Sequence, residues 1–543
     1  MKIPVGITHN LLKSFTAKDF KSFIRNSGNP SEIQENYLLR IISKNANTAF
    51  GRKYHFNGIN SISDFQKFVP LMEYEDYQDY ISQIASSKPA VLTAETVLKL
   101  VPTSGTTGYN KFIPYTKSTI SEFNLALNVW MYSLYCEFPE LKKGRAFWLI
   151  SPAGKVPDME SRIPVGFEND NSYFGSPGSR LISSIMALPD TILQITNPDH
   201  HWHLLSVYLL RATDLSMISA WNPTFIINLL AYIADNKSLL VENIKTGRIT
   251  LSGSENIDSA SDFKISPDKK LAERLNYLVV DGDIDQTRWC EIWPKLQLIS
   301  CWTDAWAAAH IPGLQSLFKN VFIQGKGLLA TEGAVTIPVL GKHLPAYYSH
   351  FFEFLDVENG EIKLIDKLEI NKQYEVIITT GSGLYRYQLH DLVRVRSFYN
   401  QLPELEFLGK NNVVSDLVGE KLSEQVVSRV LSKIKSDFAI RSEIMFLSPC
   451  ISGKDSFYTL YLTEKPVIEN LIESVDKALS EVFYYDHARK FRQLEKPGIF
   501  ILSKKGEEMY LSGKTYEGQA AAVKFLSLDK RLNLFKVLDG KFL

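Results

Sequence analysis

Between residues 103 and 111 the chain reads Thr103-Ser104-Gly105-Thr106-Thr107-Gly108-Tyr109-Asn110-Lys111. Glycines let backbone N–H groups approach an anion closely, while hydroxyls and a lysine add hydrogen-bond donors and positive charge. The spacing is not that of a Walker loop, because Lys111 comes three residues after Gly108 and Phe112 follows it. The pattern predicts a phosphate-binding loop of another kind; the plainer alternative is a surface turn rich in serine and threonine.

Around this loop, strand and helix patterns alternate. A helix is predicted to open near Thr116 and to span residues 117–137, because Phe123, Leu127, Trp130, Met131 and Leu134 recur on one face. Short apolar runs at 146–150, 215–220 and 296–301 are typical of buried strands, and a helical pattern covers 225–233. The alternation indicates an α/β fold with substantial parallel sheet.

The rest of the chain divides into three kinds of segment. The first 95 residues are predicted to be mostly helical, and residues 151–180, rich in Gly, Pro, Ser and Asn, to form a long loop. Strand signals between 322 and 399 predict mixed or antiparallel β-structure packed on the α/β part. Turn signals near 400–412 predict a boundary, with a large domain at 1–405 and a small C-terminal α+β domain at 406–543.

The composition of the chain limits the classes of function that the protein is expected to have. The chain has 543 residues, 45% of them hydrophobic, and its 60 Lys and Arg balance 60 Asp and Glu, so charge favours neither a nucleic-acid partner nor an anionic membrane. The four cysteines are widely spaced, and the N-terminus lacks the apolar core of a signal peptide. No apolar run approaches the roughly 20 residues that span a bilayer. We expect a soluble cytoplasmic protein; no pattern specifies its oligomeric state.

A second candidate stretch is Gly325-Lys326-Gly327-Leu328-Leu329-Ala330-Thr331-Glu332-Gly333. It places a hydroxyl and a carboxylate side by side after an apolar run. A carboxylate is a natural ligand for Mg²⁺, which keeps several waters and bridges phosphates, and a threonine can donate to a phosphate. Thr331 and Glu332 are therefore predicted to meet ATP phosphate and Mg²⁺, although Thr-Glu is a common dipeptide.

Two further stretches carry charge near predicted turns. In Gly383-Leu384-Tyr385-Arg386-Tyr387-Gln388-Leu389-His390-Asp391, the aspartate is suited to accept ribose hydroxyls and Arg386 to contact a phosphate or carboxylate. The alternative is a hairpin with its charges in solvent. Residues 407–424 sit at the predicted boundary and are suited to a hinge, or to an ordinary connector with exposed lysines.

Together these stretches carry a family resemblance. The hydroxyl-rich loop, Ala330-Thr331-Glu332, and Tyr385-Arg386-Tyr387 with Asp391 follow the order and spacing of the adenylate-forming superfamily. More closely, the chain resembles the Gretchen Hagen family of acyl acid amido synthetases, and we expect a bacterial member. Supporting stretches are 221–225, 351–354 and 484–489.

The resemblance implies an adenylate-forming architecture that uses ATP and Mg²⁺. It implies Glu332 as a metal ligand and Arg386, Lys421 and Lys524 as catalytic residues. The nucleotide-binding residues that it implies are Thr103, Ser104, Gly105, Thr106, Thr107, Gly108, Lys111, Thr331, Glu332, Tyr385 and Asp391.

The sequence departs from the family pattern at two positions. Leu328 stands where tyrosine or valine is usual, so adenine packing is expected to fall to Tyr347, Tyr348 or Phe351. His390 stands where glycine precedes the aspartate, a position that is suited to positive φ.

The implied reaction joins a small carboxylic acid, through an acyl-adenylate, to an amine that is expected to be an amino acid. Two alternatives stay open: a coenzyme A ligase acting through the same adenylate, and a non-catalytic nucleotide-binding relative. The histidines of Asp199-His200-His201-Trp202-His203 suggest a metal cluster, but polar surface is the better interpretation. No motif identifies the acid.

Overall fold

The computed structural model describes residues 4–102, 111–149, 159–166, 175–189, 191–192, 195, 198–221, 223–250, 263, 265–411, 414–415, 417, 420, 422–442, 444–452, 455–465, 470–490, 494–512 and 527–543. The predicted phosphate-loop residues 103–110 and the predicted catalytic lysines Lys421 and Lys524 lie outside this part of the chain.

The N-terminal segment is helical, as predicted. Its helices are α1 (Val5–Asn26), α2 (Pro30–Asn45), α3 (Ala49–Lys53), α4 (Ile62–Phe68) and α5 (Gln78–Ala85), with 3₁₀ turns at Phe56–Gly58 and Tyr74–Tyr77. Antiparallel strands β1 (Lys99–Pro102) and β2 (Phe112–Tyr115) follow. Their register pairs Pro102 with Phe112, so the two ends of the predicted loop lie side by side.

Helix α6 (Lys117–Glu137) confirms the predicted helix and its start. The Thr116 hydroxyl accepts a hydrogen bond from the Thr119 backbone N–H at 3.3 Å, and the Thr119 hydroxyl accepts one from the Thr116 backbone N–H at 3.3 Å. This reciprocal cap satisfies N–H groups that the first helical turn leaves unpaired. Four of the five predicted apolar-face residues, all except Leu127, are buried.

A four-stranded parallel sheet forms the centre of the α/β part. Its strands run in the order β3 (Arg145–Trp148), β4 (Leu215–Ser219), β5 (Leu298–Cys301) and β6 (Phe322–Gly325). The connecting helices are α7 (Gly175–Ile185), α8 (Pro198–Arg211), α9 (Pro223–Asp235), α10 (Lys237–Thr246), α11 (Lys269–Leu278), α12 (Trp289–Ile292) and α13 (Ile311–Leu317), with a 3₁₀ helix at Ala305–His310. The predicted parallel sheet is confirmed.

The predicted loop over 151–180 is wrong in its last part, because α7 begins at Gly175. Gly, Ser and Pro there resembled loop signals. Such residues are tolerated in the first turn of a helix. Proline lacks a backbone N–H, and at this position an N–H would have no partner within the helix. The following apolar residues are buried, including Ile182 and Ile185.

The β-rich part is antiparallel. Two short hairpins, β7 (Leu329–Ala330) with β8 (Gly333–Ala334) and β9 (Thr336–Val339) with β10 (Lys342–Pro345), lead into a five-stranded sheet. That sheet has the order β12 (Ile362–Leu364), β11 (Phe351–Asp356), β13 (Gln373–Thr379), β14 (Tyr387–Tyr399) and β15 (Leu402–Lys410).

The turn signal at Asn400 therefore marks a hairpin inside this sheet. Asn400 adopts a φ of 52°, and β15 pairs with β14 as far as Lys410 opposite Asp391. Strand β15 thus crosses the predicted division after residue 405. The division into two domains itself stays a prediction.

The remaining segment forms a four-stranded sheet with helices. Its elements are β16 (Val414–Ser415), β17 (Leu422–Ser423), α14 (Glu424–Asp437), β18 (Met445–Ser452), β19 (Asp455–Leu462), α15 (Leu471–Leu479), α16 (Phe483–Lys490), β20 (Gly498–Leu502), α17 (Lys504–Ser512) and β21 (Gly540–Phe542). Apolar residues from Leu417 onward pack in their own two clusters. Among the helices that the structure describes, none has the length and apolar character needed to cross a bilayer.

Candidate active site

The exit of the predicted phosphate loop is fixed to an N-terminal tyrosine. Lys111 Nζ lies 5.4 Å from the ring centroid of Tyr74, and the Tyr74 hydroxyl accepts a hydrogen bond from the Phe112 N–H at 2.7 Å. Burial raises the pKa of Tyr74, and the Glu332 carboxylate raises it further. Glu332 is therefore close enough to act electrostatically on the tyrosine that holds the loop exit.

Thr331 and Glu332 form the turn between β7 and β8. The Tyr115 hydroxyl, from the strand that leaves the loop, donates to the Thr331 carbonyl at 2.8 Å. The Tyr387 hydroxyl lies 3.5 Å from Glu332 Oε1, and burial followed by the Glu332 charge raises the pKa of Tyr387. Tyr74 thus lies beside Lys111 and within electrostatic reach of Glu332, and the predicted roles of Lys111, Thr331 and Glu332 stay predictions.

A buried network that sequence reasoning missed holds this turn. The Ala334 N–H donates to His350 Nε2 at 3.1 Å, and a Cβ added at Gly333 would lie 2.7 Å from the same nitrogen. His350 Nδ1 in turn lies 3.4 Å from Glu122 Oε2, and Glu122 accepts a hydrogen bond from the Gly381 N–H at 3.0 Å. The sequence signal was a glutamate beside Phe123 on the apolar side of α6.

Asp391 lies on β14, the strand that also carries Tyr387. They are four positions apart in the sequence, which is at most about 13 Å along an extended strand. Asp391 is buried, and its carboxylate forms an ion pair with Lys410 Nζ at 2.7 Å. A ribose would therefore share this carboxylate with Lys410, and the assignment of Asp391 to ribose stays a prediction.

His390 confirms that its position favours a left-handed backbone, because its φ is 57°. Its ring bridges two carboxylates: Nε2 lies 2.6 Å from Glu73 and Nδ1 lies 2.9 Å from Glu375. Burial opposes a charge on the ring, but the hydrogen bonds and charges of both glutamates outweigh it and raise the pKa of His390. A histidine where the family pattern has glycine thus ties β14 to the N-terminal segment.

The geometry does not fit the predicted roles of Tyr385 and Arg386. Tyr385 is fully buried, stacks on Phe50 at 4.7 Å and donates to the Leu92 carbonyl at 2.8 Å. Arg386 is buried and makes two hydrogen bonds to the Glu353 carboxylate, at 2.9 and 3.0 Å. Both side chains point into the core, so they are not placed to contact a nucleotide.

The three residues that were predicted to pack against adenine, Tyr347, Tyr348 and Phe351, also make contacts within the protein. Tyr347 and Phe351 are fully buried, and the Tyr347 hydroxyl donates to the Phe23 carbonyl at 2.6 Å. Tyr348 is half-buried and its hydroxyl lies 3.2 Å from the Ser22 carbonyl of α1. These contacts give all three residues packing roles.

The chemistry of Glu332 fits Mg²⁺. Within the described ranges, no three His, Cys, Asp or Glu side chains gather as a metal cage. A half-buried single carboxylate suits an ion that draws its other ligands from phosphates and water. The 199–203 histidines show packing instead, since His203 Nε2 lies 2.7 Å from Asn243 Nδ2.

A parallel α/β part, an added antiparallel sheet, and Lys111 and Glu332 on either side of Tyr74 are consistent with the architecture that the resemblance to adenylate-forming enzymes implies. The chain belongs to the GH3 family: the model of the GH3 family N-terminal domain matches residues 19–323, more than half of the chain, and that of the central domain matches 343–410.

Several relatives and solved structures are similar over most of the chain. Indole-3-acetic acid-amido synthetase GH3.4 of Arabidopsis thaliana is 26% identical over 73% of this chain and 70% of its own length. Putative indole-3-acetic acid-amido synthetase GH3.9 of the same plant is 24% identical over 96% and 97%. The structure of the AtGH3.15 acyl acid amido synthetase in complex with 2,4-DB aligns with a TM-score of 0.83 at 19% identity, over 97% of this chain and 96% of that one.

A more distant structure has the same overall architecture. The 2-hydroxyisobutyryl-CoA ligase in its postadenylation state aligns with a TM-score of 0.52 at 10% identity, over 94% and 93% of the two chains. The family, the fold class and the class of enzyme, an acyl acid amido synthetase that forms carbon–nitrogen bonds, confirm the sequence-based predictions.

Proposed function

We propose that this protein uses ATP and Mg²⁺ to adenylate a small carboxylic acid and transfers the acyl group to an amino acid. The observation that carries the proposal is the meeting of Lys111, Thr331 and Glu332 around Tyr74 and Tyr387. Membership of the GH3 family supports the same reaction. The relatives named as indole-3-acetic acid-amido synthetases support an amide product.

In the first half-reaction, a carboxylate oxygen of the acid attacks the α-phosphorus of ATP and pyrophosphate leaves. Lys111 is positioned to offset charge on the departing pyrophosphate. The Thr331 hydroxyl is suited to donate to the α-phosphate, and Mg²⁺, held by Glu332, would neutralise the phosphate charge when bound. Such catalysis depends mainly on positioning and on electrostatic stabilisation of the transition state.

In the second half-reaction, an amine attacks the acyl carbon, an amide forms and AMP leaves with the bonding electron pair. We keep Lys421 and Lys524 as predicted contributors to this chemistry and Asp391 as the predicted ribose ligand. Arg386 has no place in either step, because its guanidinium is committed to Glu353.

The cellular setting belongs to the same proposal. We propose a cytoplasmic enzyme of bacterial origin that acts on small molecules rather than on nucleic acid. The absence of cysteine pairs from the sequence supports a reducing compartment, and the four cysteines are free thiols in the structure.

The decisive test is ATP–pyrophosphate exchange with a panel of carboxylic acids in the presence and absence of Mg²⁺. Amino acids or coenzyme A are then added to identify the acceptor that yields AMP and product. Glu332→Gln is expected to lower exchange by at least about a hundredfold, since a metal-binding carboxylate becomes a neutral amide. Glu358→Gln, which changes an exposed carboxylate in the turn after β11, is the matched control.

If no acid in a broad panel supports Mg²⁺-dependent exchange, the adenylation proposal fails and a nucleotide-binding role takes its place. If coenzyme A, and no amino acid, releases AMP, the product is a thioester. Near-normal exchange by Glu332→Gln would remove Glu332 from the metal site.

A further inference from the structure

The His390 side chain joins segments that border the two ends of the predicted nucleotide site. Its ring lies between Glu73 of the N-terminal segment and Glu375 of β13, with Nε2 2.6 Å from the first carboxylate and Nδ1 2.9 Å from the second. The His390 side chain is 16% exposed and that of Glu375 is 5% exposed. The bridge is therefore part of the packed structure rather than a contact between surface side chains.

The geometry of the bridge requires a charged ring. A neutral imidazole has one N–H donor and one nitrogen lone pair, whereas an imidazolium has two donors. In a neutral ring, a lone pair would face a carboxylate oxygen at 2.6 or 2.9 Å, which is repulsive. The other charged groups at this place are Asp391 of the same strand and Lys410 of β15, and they pair with each other at 2.7 Å. The structure therefore contains the imidazolium form, in agreement with the raised pKa of His390.

On one side of the bridge, Glu73 adjoins the exit of the predicted phosphate loop. It directly precedes Tyr74, whose hydroxyl accepts a hydrogen bond from the Phe112 N–H at 2.7 Å and whose ring centroid lies 5.4 Å from Lys111 Nζ. The Gln388 amide of β14 also donates to Glu73, at 2.9 Å. The position of Glu73 therefore affects the position of the loop exit.

On the other side, the backbone of His390 adjoins the predicted ribose ligand. Asp391 follows it directly and pairs with Lys410. The next residue, Asn411, donates its backbone N–H to the His390 carbonyl at 2.7 Å and its side-chain amide to Glu375 at 2.8 Å. These contacts fix Asp391 relative to the histidine ring.

We propose that His390, in its imidazolium form, is a positioning residue that holds the loop exit and Asp391 at the separation that ATP requires. This inference rests on the ATP binding of the proposed function. When the ring loses its proton to solvent, it can donate to only one of the two carboxylates, and the link between Glu73 and Glu375 opens. The affinity for ATP is then expected to fall. The family pattern has glycine at this position, so this bridge is a property of this chain.

The test is calorimetric titration of the full-length protein with Mg²⁺-ATP, without acid, over a series of pH values. His390→Gly and Glu73→Gln remove the bridge from either end. Glycine also relieves the left-handed φ of 57°, so backbone strain cannot explain a loss of affinity. The matched controls are His55→Gly, which changes an exposed histidine with a φ of 55°, and Glu75→Gln, which changes an exposed carboxylate in the turn after Glu73.

The ratio of the variant and wild-type dissociation constants at each pH cancels the titration of the nucleotide itself. At about pH 6, below the ordinary histidine pKa of about 6.5, His390→Gly and Glu73→Gln are each expected to weaken ATP binding about tenfold, as for the loss of one hydrogen bond to a charged group. Both ratios should fall towards one as pH rises and the wild-type ring loses its proton. His55→Gly and Glu75→Gln should bind ATP as the wild type does at every pH.

Equal ATP affinities of the wild type and His390→Gly at every pH would overturn the inference. So would a loss of affinity that does not change with pH, or a wild type that does not bind Mg²⁺-ATP. If His390→Gly does not fold, Glu73→Gln must show the pH-dependent loss, or the inference fails.

Pyrophosphate exchange with a panel of acids separates this inference from the proposed function. A pH-dependent loss of ATP affinity in His390→Gly without any exchange by the wild type would leave the positioning role standing and remove the adenylation reaction. Exchange by a wild type whose ATP affinity equals that of His390→Gly at every pH would do the reverse.

Discussion

Replacing Arg386 by methionine is expected to destabilise the protein while leaving adenylation intact. The Arg386 guanidinium makes four hydrogen bonds, two to Glu353 and one each to the Gln66 and Val69 carbonyls, and the two charged residues are only 4% and 1% exposed. Removing one partner of a buried ion pair leaves the other uncompensated, at a cost of about 3–5 kcal/mol. Residue 386 has a left-handed φ of 50°. Arginine and methionine both have a Cβ, so this φ strains the wild type and the variant equally. The difference between their free energies of unfolding therefore measures the loss of the charged group.

The assay is denaturant unfolding, combined with pyrophosphate exchange at a temperature at which both proteins are folded. Arg394→Met is the matched control, because its nearest carboxylate, Glu406, is 3.8 Å away and both are about one-third exposed. Its cost is expected to stay below about 1 kcal/mol. Glu353→Leu combined with Arg386→Met should cost less than the sum of the single changes by about 2 kcal/mol, since the two residues act as one unit.

A loss of stability below about 1 kcal/mol in Arg386→Met, together with at least a tenfold loss in the kcat/KM of adenylation, would refute this reasoning. Arg386 would then contact a substrate as well as Glu353, and its carboxylate partner would have to be released during the reaction.

Two further changes test other parts of the site. Although burial lowers it, the pKa of His390 is raised in the folded protein because of its ion pairs with Glu73 and Glu375. These ion pairs therefore stabilise the fold fully at a pH below the pKa of an unfolded histidine, about 6.5. Their contribution is lost as the pH rises through the higher pKa of the folded state. The melting-temperature difference between wild type and His390→Gly should therefore shrink as pH rises above about 6.5; a difference that stays constant would contradict the charged bridge. Gly333→Ala would place a methyl group 2.7 Å from His350 Nε2, so the turn must shift, and the kcat/KM of exchange should fall about tenfold to a hundredfold with a much smaller change in melting temperature. Unchanged exchange in that variant would mean that His350 does not fix the turn.

Local patterns predicted the regular elements well, because the signals that create them are local. Thr116 followed by an apolar face at helical spacing specified α6, and short continuous apolar runs specified β4 and β5, which lie between packed layers. The loop prediction over 151–180 failed at Gly175 because glycine, serine and proline are as common at a helix start as in a loop. The sequence did not reveal that the Asn400 turn joins two paired strands, because a turn signal is the same within a hairpin and between domains.

The sequence indicated candidate residues for the site but not their contacts. Strands β2, β7 and β8 flank Lys111, Thr331 and Glu332, and the roles that the motifs imply for these residues stay predictions. The sequence did not indicate the buried ion pair of Arg386, because an arginine that binds phosphate and one that binds a buried glutamate look alike in sequence. Its partner Glu353 lies 33 residues earlier on β11, and only the pairing of the strands places the two together.

The buried glutamate of α6 connects these observations. Glu122 accepts the Gly381 N–H, just before the Tyr385-Arg386 segment, and lies 3.4 Å from His350, which holds the turn after Glu332. One carboxylate thus contacts the backbone before β14 and supports the residue that holds the turn containing Glu332. Its 7% exposure is unusual for a glutamate that has no arginine or lysine ion-pair partner in the described part of the chain, and fold stability alone gives little reason to keep it. A functional reason to keep Glu122 is that it attaches two segments of the candidate active site to one rigid helix. Adenylation depends on fixed distances between the groups that surround the phosphates.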